Sequence, residues 1–193
     1  GGTMQNPTLI VVSGAPGAGK TTVATTISAR LHIPMLSKDA IKESLFDSLG
    51  WSDREWSRKL GRASMTLLFD FVEAQLAAGR SVIAESNFYP DMEDGRRVRA
   101  LQAAYDSRVF ELYCTAAPDV VLSRFRARHC TDERHPGHVM EASDLRELET
   151  RVESGFFHPM DLGGGLLTVD TTEFARVDHG AIARAVRSAL ARD

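Results

Sequence analysis

Long apolar runs, paired cysteines and a large surplus of one charge are all lacking from this 193-residue sequence. No apolar stretch approaches the roughly 18 residues of a membrane-spanning helix, and no charged start with an apolar segment behind it indicates a secretion signal. The two cysteines, Cys114 and Cys130, lack the close spacing of a metal or redox motif, so a cytoplasmic chain with reduced thiols is expected. The formal net charge of −3 argues against a protein that coats nucleic acid, and no membrane partner is expected.

Internal repeats and low-complexity linkers are lacking too, so residues 1–193 are expected to form one domain, with Gly1–Thr3 as a vector remnant before Met4. Short β-branched apolar runs alternate with amphipathic helical patterns. Strands are predicted over residues 8–13, 34–37, 81–85, 108–114 and 166–170. Helices are predicted over residues 20–31, 38–49, 54–78, 91–105, 118–129, 143–153 and 178–191. Such alternation favours parallel strand pairing, and so an α/β domain of three layers, α/β/α.

Residues 14–21 read GAPGAGKT and fit the GxxxxGK[ST] pattern of a phosphate-binding loop, with a predicted strand before and a predicted helix after. Glycines allow successive backbone N–H groups to point into one concavity, at the positive end of the helix. Lys20 is predicted to contact the β- and γ-phosphates, Thr21 to ligate Mg²⁺, and Thr22 to assist at the α-phosphate. The predicted nucleotide-binding residues of this loop are Gly14, Ala15, Pro16, Gly17, Ala18, Gly19, Lys20, Thr21 and Thr22.

Several motifs of other phosphate-loop proteins are missing. There is no Asn-Lys-x-Asp guanine motif, and the one DxxG match, Asp161–Gly164, lies beyond the fourth predicted strand, too late for a GTPase switch. No predicted strand ends in the Asp-Glu pair of a motor or AAA-type ATPase. The small size and the basic segment after residue 123 favour the layout of a nucleotide or metabolite kinase.

Three polar side chains follow predicted strands at the edge of the sheet that carries the phosphate loop. The carboxyl ends of parallel strands border one crevice, which places Asp39 across from the loop. Asp39 is predicted to take or orient the proton of an acceptor hydroxyl, or else to cap the helix that follows it. Glu85 is predicted to hold Mg²⁺ through water, to grip the substrate, or to pair with an arginine. Asn87 is predicted to hydrogen-bond the acceptor.

Residues 124–140 are predicted to form a lid rich in arginine and histidine. Arg124 and Arg128 share a helix face because they are four residues apart, whereas Arg126 points elsewhere. Guanidinium groups suit the charge of a phosphoryl transition state, so Lys20, Asp39, Arg124 and Arg128 form the predicted catalytic set. Arg134 is predicted to contact the substrate. A solvated, charged helix is the alternative interpretation of this arginine run.

The motifs together resemble a known group of enzymes. They are SGAPGAGKTT, LSKDAIKESLFD at 36–47, SVIAESNF at 81–88, RFRARH and ERHPGH at 124–138, and LLTVDTT at 166–172. This series resembles the P-loop kinases related to zeta toxin, chloramphenicol phosphotransferase and the kinase domain of polynucleotide kinase. The resemblance implies a five-stranded parallel sheet of order 2-3-1-4-5, ATP or GTP with Mg²⁺, and transfer of the γ-phosphoryl to a hydroxyl. It also implies a catalytic aspartate at Asp39, and Asp170 and Thr171 beside the purine base.

Two positions depart from that family's pattern. Lys38 stands where an arginine or a small residue is expected, and Glu85 where aspartate is more common. The expected acceptor is a hydroxyl of a small molecule, nucleoside-like or antibiotic-like. The alternatives are the 5′-hydroxyl of a nucleic-acid end and a nucleotide-binding switch that is not a kinase. A basic cluster, Arg96, Arg97 and Arg99, is either a solvated helix face or a guide for an anionic acceptor.

Overall fold

The computed structural model describes residues 6–89, 93–129, 131, 134–139 and 141–191, and in them a five-stranded parallel sheet has helices on both faces. The strands are β1 (Thr8–Ser13), β2 (Met35–Ser37), β3 (Val82–Glu85), β4 (Arg108–Thr115) and β5 (Gly165–Asp170). The helices are α1 (Lys20–Leu31), α2 (Lys38–Leu49), α3 (Arg54–Ala77), α4 (Glu93–Tyr105), α5 (Pro118–His129), α6 (Ala142–Glu153) and α7 (His179–Ala191). The strand order β2-β3-β1-β4-β5 and the three layers confirm the predicted fold class.

Predicted and observed elements agree to within a residue or two wherever both ends are described. A short 3-10 helix, Phe174–Arg176, was not predicted. The predicted helix start at Asp91, the remnant Gly1–Thr3 and the residue Cys130 lie outside the described residues. Among the helices that are described, none is long and apolar enough to cross a membrane.

Strand β1 lies at the centre of the sheet because all six of its residues are apolar or small and all are buried. It pairs with β3 on one side, where Val12 lies opposite Glu85, and with β4 on the other, where Ser13 lies opposite Tyr113. A strand buried on both faces and paired on both edges is the usual centre of a parallel sheet. The loop that follows β1 therefore emerges at the carboxyl edge of the sheet, between two neighbouring strand ends.

Alternate side chains of β1 enter two separate cores. Ile10 and Val12 face α1 and α7, while Leu9 and Val11 face α3 and α4. The 24 residues of α3 begin after Asp53, whose side chain accepts a hydrogen bond from the backbone N–H of Trp56 at 2.8 Å.

The apolar residues of α3 do not all face the core, because Leu67 is 44% exposed. Three small residues, Ser57, Gly61 and Ser64, are buried on the face that includes Leu60 and Leu68. Small side chains allow α2 to pack closely on this face. Hydrophobicity alone does not mark such a contact.

A buried carboxylate fixes the end of β1. Glu111 of β4 is 3% exposed, accepts a hydrogen bond from the Ser13 hydroxyl at 2.6 Å, and accepts another from the backbone N–H of Met160 at 3.0 Å. Burial raises the pKa of Glu111, and these hydrogen bonds oppose that rise. The residue immediately before the phosphate loop is thus held by a polar contact from inside the protein.

Ion pairs attach α6 to two other helices, α3 and α5. Arg54 at the start of α3 pairs with Glu141 at 2.9 Å and with Asp144, both at the start of α6. Arg126 of α5 pairs with Glu149 of α6. Arg126 therefore points away from the neighbouring arginines of its helix, as its spacing predicts.

Candidate active site

The loop of residues 14–21, called the P-loop below, turns sharply between β1 and α1. Gly14 has φ +134° and Gly19 has φ +77°, a region that side chains other than glycine rarely adopt. A Cβ atom on Gly14 would run into the carbonyl oxygen of Cys114, and one on Gly19 would run into the ring of Phe174. Glycine is required at both positions by conformation and by space.

Lys20 begins α1 and is buried, with 7% of its surface exposed. Its ammonium group donates a hydrogen bond to the carbonyl oxygen of Ala15 at 2.8 Å, and Thr21 donates one to the Glu85 carboxylate at 3.1 Å. Burial lowers the pKa of Lys20 and raises the pKa of Glu85, while the attraction between their charges opposes both shifts. An ammonium, a hydroxyl and a carboxylate therefore meet at the base of the P-loop.

A cleft of about 140 Å³ opens beside the P-loop and is called the P-loop cleft below. Most of the predicted site residues line it: Pro16, Gly17, Gly19, Lys20, Thr21, Asp39, Glu85, Asn87, Arg128 and Arg134. The other predicted P-loop residues do not line it: Gly14, Ala15, Ala18 and Thr22. Ala15 and Ala18 are buried beneath the loop, and Thr22 is exposed on α1.

Asp39 reaches this cleft from the first turn of α2. The alternative that Asp39 caps the helix is wrong, because the cap is Ser37, whose hydroxyl accepts a hydrogen bond from the Ala40 N–H at 3.1 Å. Parallel pairing of β2 with β3 sets Ser37 opposite Glu85, so α2 starts beside that carboxylate. Desolvation in the cleft by itself would raise the pKa of Asp39. The positive charges of Lys38, Arg134 and Lys20, joined by that of His138 in the acid range where both groups titrate, outweigh it and hold that pKa below its usual value.

The two arginines predicted to act together have different surroundings. Arg124 donates to the carbonyl oxygens of Gly17 at 3.4 Å and Thr171 at 2.6 Å, and its guanidinium lies 5.4 Å from the ring centre of Phe174. Arg128 is exposed and lines the P-loop cleft. Arg124 therefore joins the P-loop to the segment after β5, and Arg128 is available to the cleft.

Thr171 supports the P-loop from below. Its buried hydroxyl donates to the carbonyl oxygen of Ala18 at 3.0 Å, and it also contacts Arg124 at 3.1 Å. Asp170 is exposed at the same strand end, where its carboxylate accepts a hydrogen bond from the Thr172 N–H at 2.8 Å. The contacts of Thr171 make it a residue that positions the loop.

The described residues 134–139 pack on α2 through Phe46, which is 1% exposed. The ring of His135 stacks on Phe46 with centroids 5.1 Å apart, and His138 meets it edge-on at 5.4 Å. His138 also lies 3.0 Å from Glu43. Burial and the charge of Arg134 lower the pKa of His138 to about 3, so this histidine is neutral at neutral pH.

Arg134, the first residue of this described segment, lines the P-loop cleft. Its guanidinium contacts His129 at 2.6 Å and His138 at 3.4 Å, and its charge acts on Asp39. Among the residues that the structure describes, no cluster of three His, Cys, Asp or Glu side chains is arranged to hold a metal ion. The two histidines of the HPGH stretch, His135 and His138, contact the ring of Phe46 and the carboxylates of Asp47 and Glu43.

One residue of the site, Lys42, was missed by sequence reasoning. Its ammonium donates to the Ser57 hydroxyl at 2.9 Å, and burial lowers its pKa to about 8. Lys42 follows Lys38 by four residues, so both lie on one face of α2, and both line the cleft. That spacing was the signal in the sequence that could have identified it.

The fold and the site define a nucleotide-binding protein of the P-loop class with a kinase-like arrangement. The family model described as an AAA domain matches residues 9–148, which is most of the chain, and the chain belongs to that family. The sequence nevertheless lacks, at the ends of its strands, the Asp-Glu pair of a motor ATPase. No curated protein matches this chain in sequence.

Solved structures agree with this assignment. A candidate kinase from Chloroflexus aurantiacus is 41% identical, with a TM-score of 0.88 over 95% of this chain and 98% of that one. A gluconokinase from Sinorhizobium meliloti is 20% identical, with a TM-score of 0.54 over 97% and 94% of the two chains. Kti12 of Chaetomium thermophilum, solved with ADP-AlF3, is 20% identical, with a TM-score of 0.65 over 95% and 100%. The two more distant structures share the fold, and a P-loop kinase fold implies nucleotide binding.

Proposed function

We propose that this protein is a cytoplasmic, Mg²⁺-dependent phosphotransferase that moves the γ-phosphoryl group of ATP or GTP to a hydroxyl of a small molecule. The observation that carries the proposal is that Lys20, Asp39 and Glu85 line one cleft and act on one another electrostatically. A phosphate-binding loop that shares a cleft with a carboxylate is a recurring arrangement for phosphoryl transfer to an alcohol. The relation to the zeta toxin and polynucleotide kinase group is part of this proposal, supported by the order of the motifs.

The residues at the base of the P-loop fit a magnesium ion. Thr21 offers a hydroxyl and Glu85 a carboxylate 3.1 Å from it, and both are the hard oxygen ligands that Mg²⁺ prefers. Because Mg²⁺ is usually held by one or two protein oxygens together with phosphates and water, a complete protein cage is not needed. When bound, the ion would neutralise charge on the transferring phosphoryl group.

The side chains of the cleft then have separate tasks. The carboxylate of Asp39 accepts the proton of the acceptor hydroxyl while the new oxygen–phosphorus bond forms and the bond to the leaving diphosphate breaks. Lys20 supplies positive charge at the P-loop, and Arg128 and Arg134 supply it from other parts of the cleft lining. The lowered pKa of Asp39 keeps it ionised at neutral pH, as an acceptor of protons must be.

We further propose that residues 124–140 form the lid of a single domain. Arg124 positions the P-loop against the segment after β5, where Asp170 and Thr171 would border the base of the nucleotide. Contacts of residues 134–139 with α2 support a lid that reaches the acceptor side of the cleft.

The proposal is tested by a screen of acceptors with γ-labelled ATP and GTP. The panel contains nucleosides, antibiotics, sugars, sugar acids and oligonucleotides with a free 5′-hydroxyl. The expected result is label on a small acceptor, in a reaction that stops when Mg²⁺ is chelated. Label released only as inorganic phosphate would favour a nucleotide-binding switch, and label only on oligonucleotides would favour a polynucleotide kinase.

A further inference from the structure

A second and larger cavity adjoins the P-loop cleft. It has a volume of about 730 Å³ and lies between α2, α3, the residues after β3 and the start of α4, and it is called the α3 cavity below. Lys38, Lys42 and Ser86 line both spaces, so the cavity lies directly beside the cleft that holds Asp39. Its volume is that of a small-metabolite site. It is the natural place for the body of an acceptor whose hydroxyl reaches Asp39.

The charge of the α3 cavity is strongly one-sided. Its lining carries five cationic side chains: Lys38, Lys42, Arg58, Arg62 and Arg97. Its lining also carries two acidic side chains, Glu93 and Asp94, of which Asp94 accepts a hydrogen bond from the Tyr89 N–H at 3.0 Å. In the part of the chain that the structure describes, none of the five cations forms an ion pair with a carboxylate. On a chain whose net charge is −3, such a cluster of cations is a local feature.

Lys42 is held at the junction between the cavity and the cleft. Its ammonium lies between α2 and α3, bonded to the Ser57 hydroxyl at 2.9 Å and 5.4 Å from the ring centre of Phe46. Gly61 of α3 borders this group, since a Cβ there would lie in ordinary contact with the ammonium nitrogen, at 3.7 Å. Both direct contacts are neutral, and the attraction of the nearby Asp39 charge is opposed by the charges of Lys38 and Arg134. A half-buried ammonium in such surroundings gains from a ligand that supplies further negative charge.

Arg97 is held from the other wall of the cavity. Its guanidinium lies 4.0 Å from the ring centre of Phe69, and the charge of Asp94 on the same helix acts on it. Of the basic cluster seen in the sequence, Arg97 alone lines the cavity, while Arg96 and Arg99 lie outside its lining. Arg97 is therefore the candidate for binding a ligand in the cavity, whereas Arg96 and Arg99 are exposed to solvent.

Resting on the proposed function, we propose that the acceptor is a small hydroxylated anion, a phosphate ester or a carboxylic acid. Its anionic group binds in the α3 cavity at Lys42, Arg62 and Arg97, and its hydroxyl extends into the P-loop cleft. Arginine suits both anions because its fork of donors matches two oxygens at once. A nucleic-acid end is the less favoured occupant, because a net-acidic chain repels the rest of the strand.

Binding of simple anions tests the site without requiring any turnover. The protein is saturated with a non-hydrolysable ATP analogue and Mg²⁺, so that the P-loop is occupied, and is titrated by calorimetry with inorganic phosphate or with succinate. Saturable binding that weakens with added salt is expected. The phosphate and succinate arms show which of the two anions the site prefers. No saturable binding of either anion would overturn the proposal.

Matched variants locate the site. Arg62→Gln and Arg97→Gln are each expected to weaken anion binding about ten-fold or more, the usual effect of losing one charged hydrogen bond. Arg96→Gln removes the same charge from the next residue of α4 and is expected to leave binding unchanged. Thermal unfolding of all three variants verifies that they fold. Equal binding by Arg96→Gln and Arg97→Gln, at wild-type strength, would refute the assignment.

Transfer assays separate this inference from the function on which it rests. Glycerol 3-phosphate and glycerate are compared with glycerol as acceptors of the γ-label, and the anions are expected to be used at least about ten-fold more efficiently. If anions bind as described but no hydroxyl receives label, the kinase proposal fails and the anion site stands. If label reaches only glycerol or an oligonucleotide, the small-anion assignment is wrong and the transferase stands.

Discussion

Replacing Asp39 by asparagine removes a carboxylate from the cleft and changes the shape of the side chain very little. Because Ser37 caps α2, the cap is kept; the cost to folding is the loss of a charge near the helix N-terminus, about 0.3–1 kcal/mol, together with its attraction to Lys38 and Arg134. Loss of a positioned base lowers turnover by about 100-fold or more. Nucleotide affinity is expected to stay the same or rise slightly, since a negative charge near Lys20 is lost.

The assay measures label transfer at saturating nucleotide, together with nucleotide affinity and thermal unfolding. Asp70→Asn makes the same chemical change at an exposed position of α3 and is expected to leave turnover as it is. Ser37→Ala removes the cap and is expected to cost about 1 kcal/mol of stability while Asp39 still works. Wild-type turnover in Asp39→Asn, or loss of turnover in Ser37→Ala alone, would show that the first turn of α2 acts through structure and not through a base.

Three further outcomes follow from the same cleft. Lys20→Ala is expected to abolish transfer and weaken triphosphate binding, and unchanged turnover in kinetic assays would exclude the P-loop as the phosphate site. Gly137→Ala would place a Cβ 2.6 Å from the buried ring of Phe46 and lift the segment from α2, so the acceptor KM is expected to rise; an unchanged KM would argue against a lid there. Because burial raises the pKa of Glu85 while that of Asp39 is lowered, falling pH protonates Glu85 first, and extra Mg²⁺ is expected to restore turnover in mildly acid solution. A pH profile of turnover that is the same at low and high Mg²⁺ concentration would contradict the role of Glu85 in holding the ion.

The layout of this fold could be predicted from sequence because its elements are locally determined. The run TLIVVS has no polar break and lies in the middle of the sheet, and the glycines of the P-loop have the backbone conformations that only their residue type adopts readily. The carboxyl ends of the strands bring Asp39 and Glu85 into one cleft, as the topology predicts. Residue spacing and chain topology were sufficient for these features.

Features that depend on packing between distant segments were not predicted. Local sequence patterns did not predict that Arg124 donates to the carbonyl oxygen of Thr171, which is 47 positions away in the chain. The buried face of α3 contains Ser57 and Gly61, because α2 approaches it closely and hydrophobicity does not report such an approach. The α3 cavity was not predicted for the same kind of reason, because its lining comes from three helices, α2, α3 and α4, that are far apart in the sequence.

The salt bridges of Arg54 connect two parts of the protein that the proposed reaction uses. Arg54, Arg58 and Arg62 follow one another at four-residue spacing on α3, so the anchor of α6 and two cations of the α3 cavity share one helix face. Both features lie within the first half of the 24 residues of α3. A charged metabolite in the α3 cavity would therefore contact the same stretch of helix that holds the start of α6, so that one short run of arginines serves both ligand binding and the attachment of a neighbouring helix.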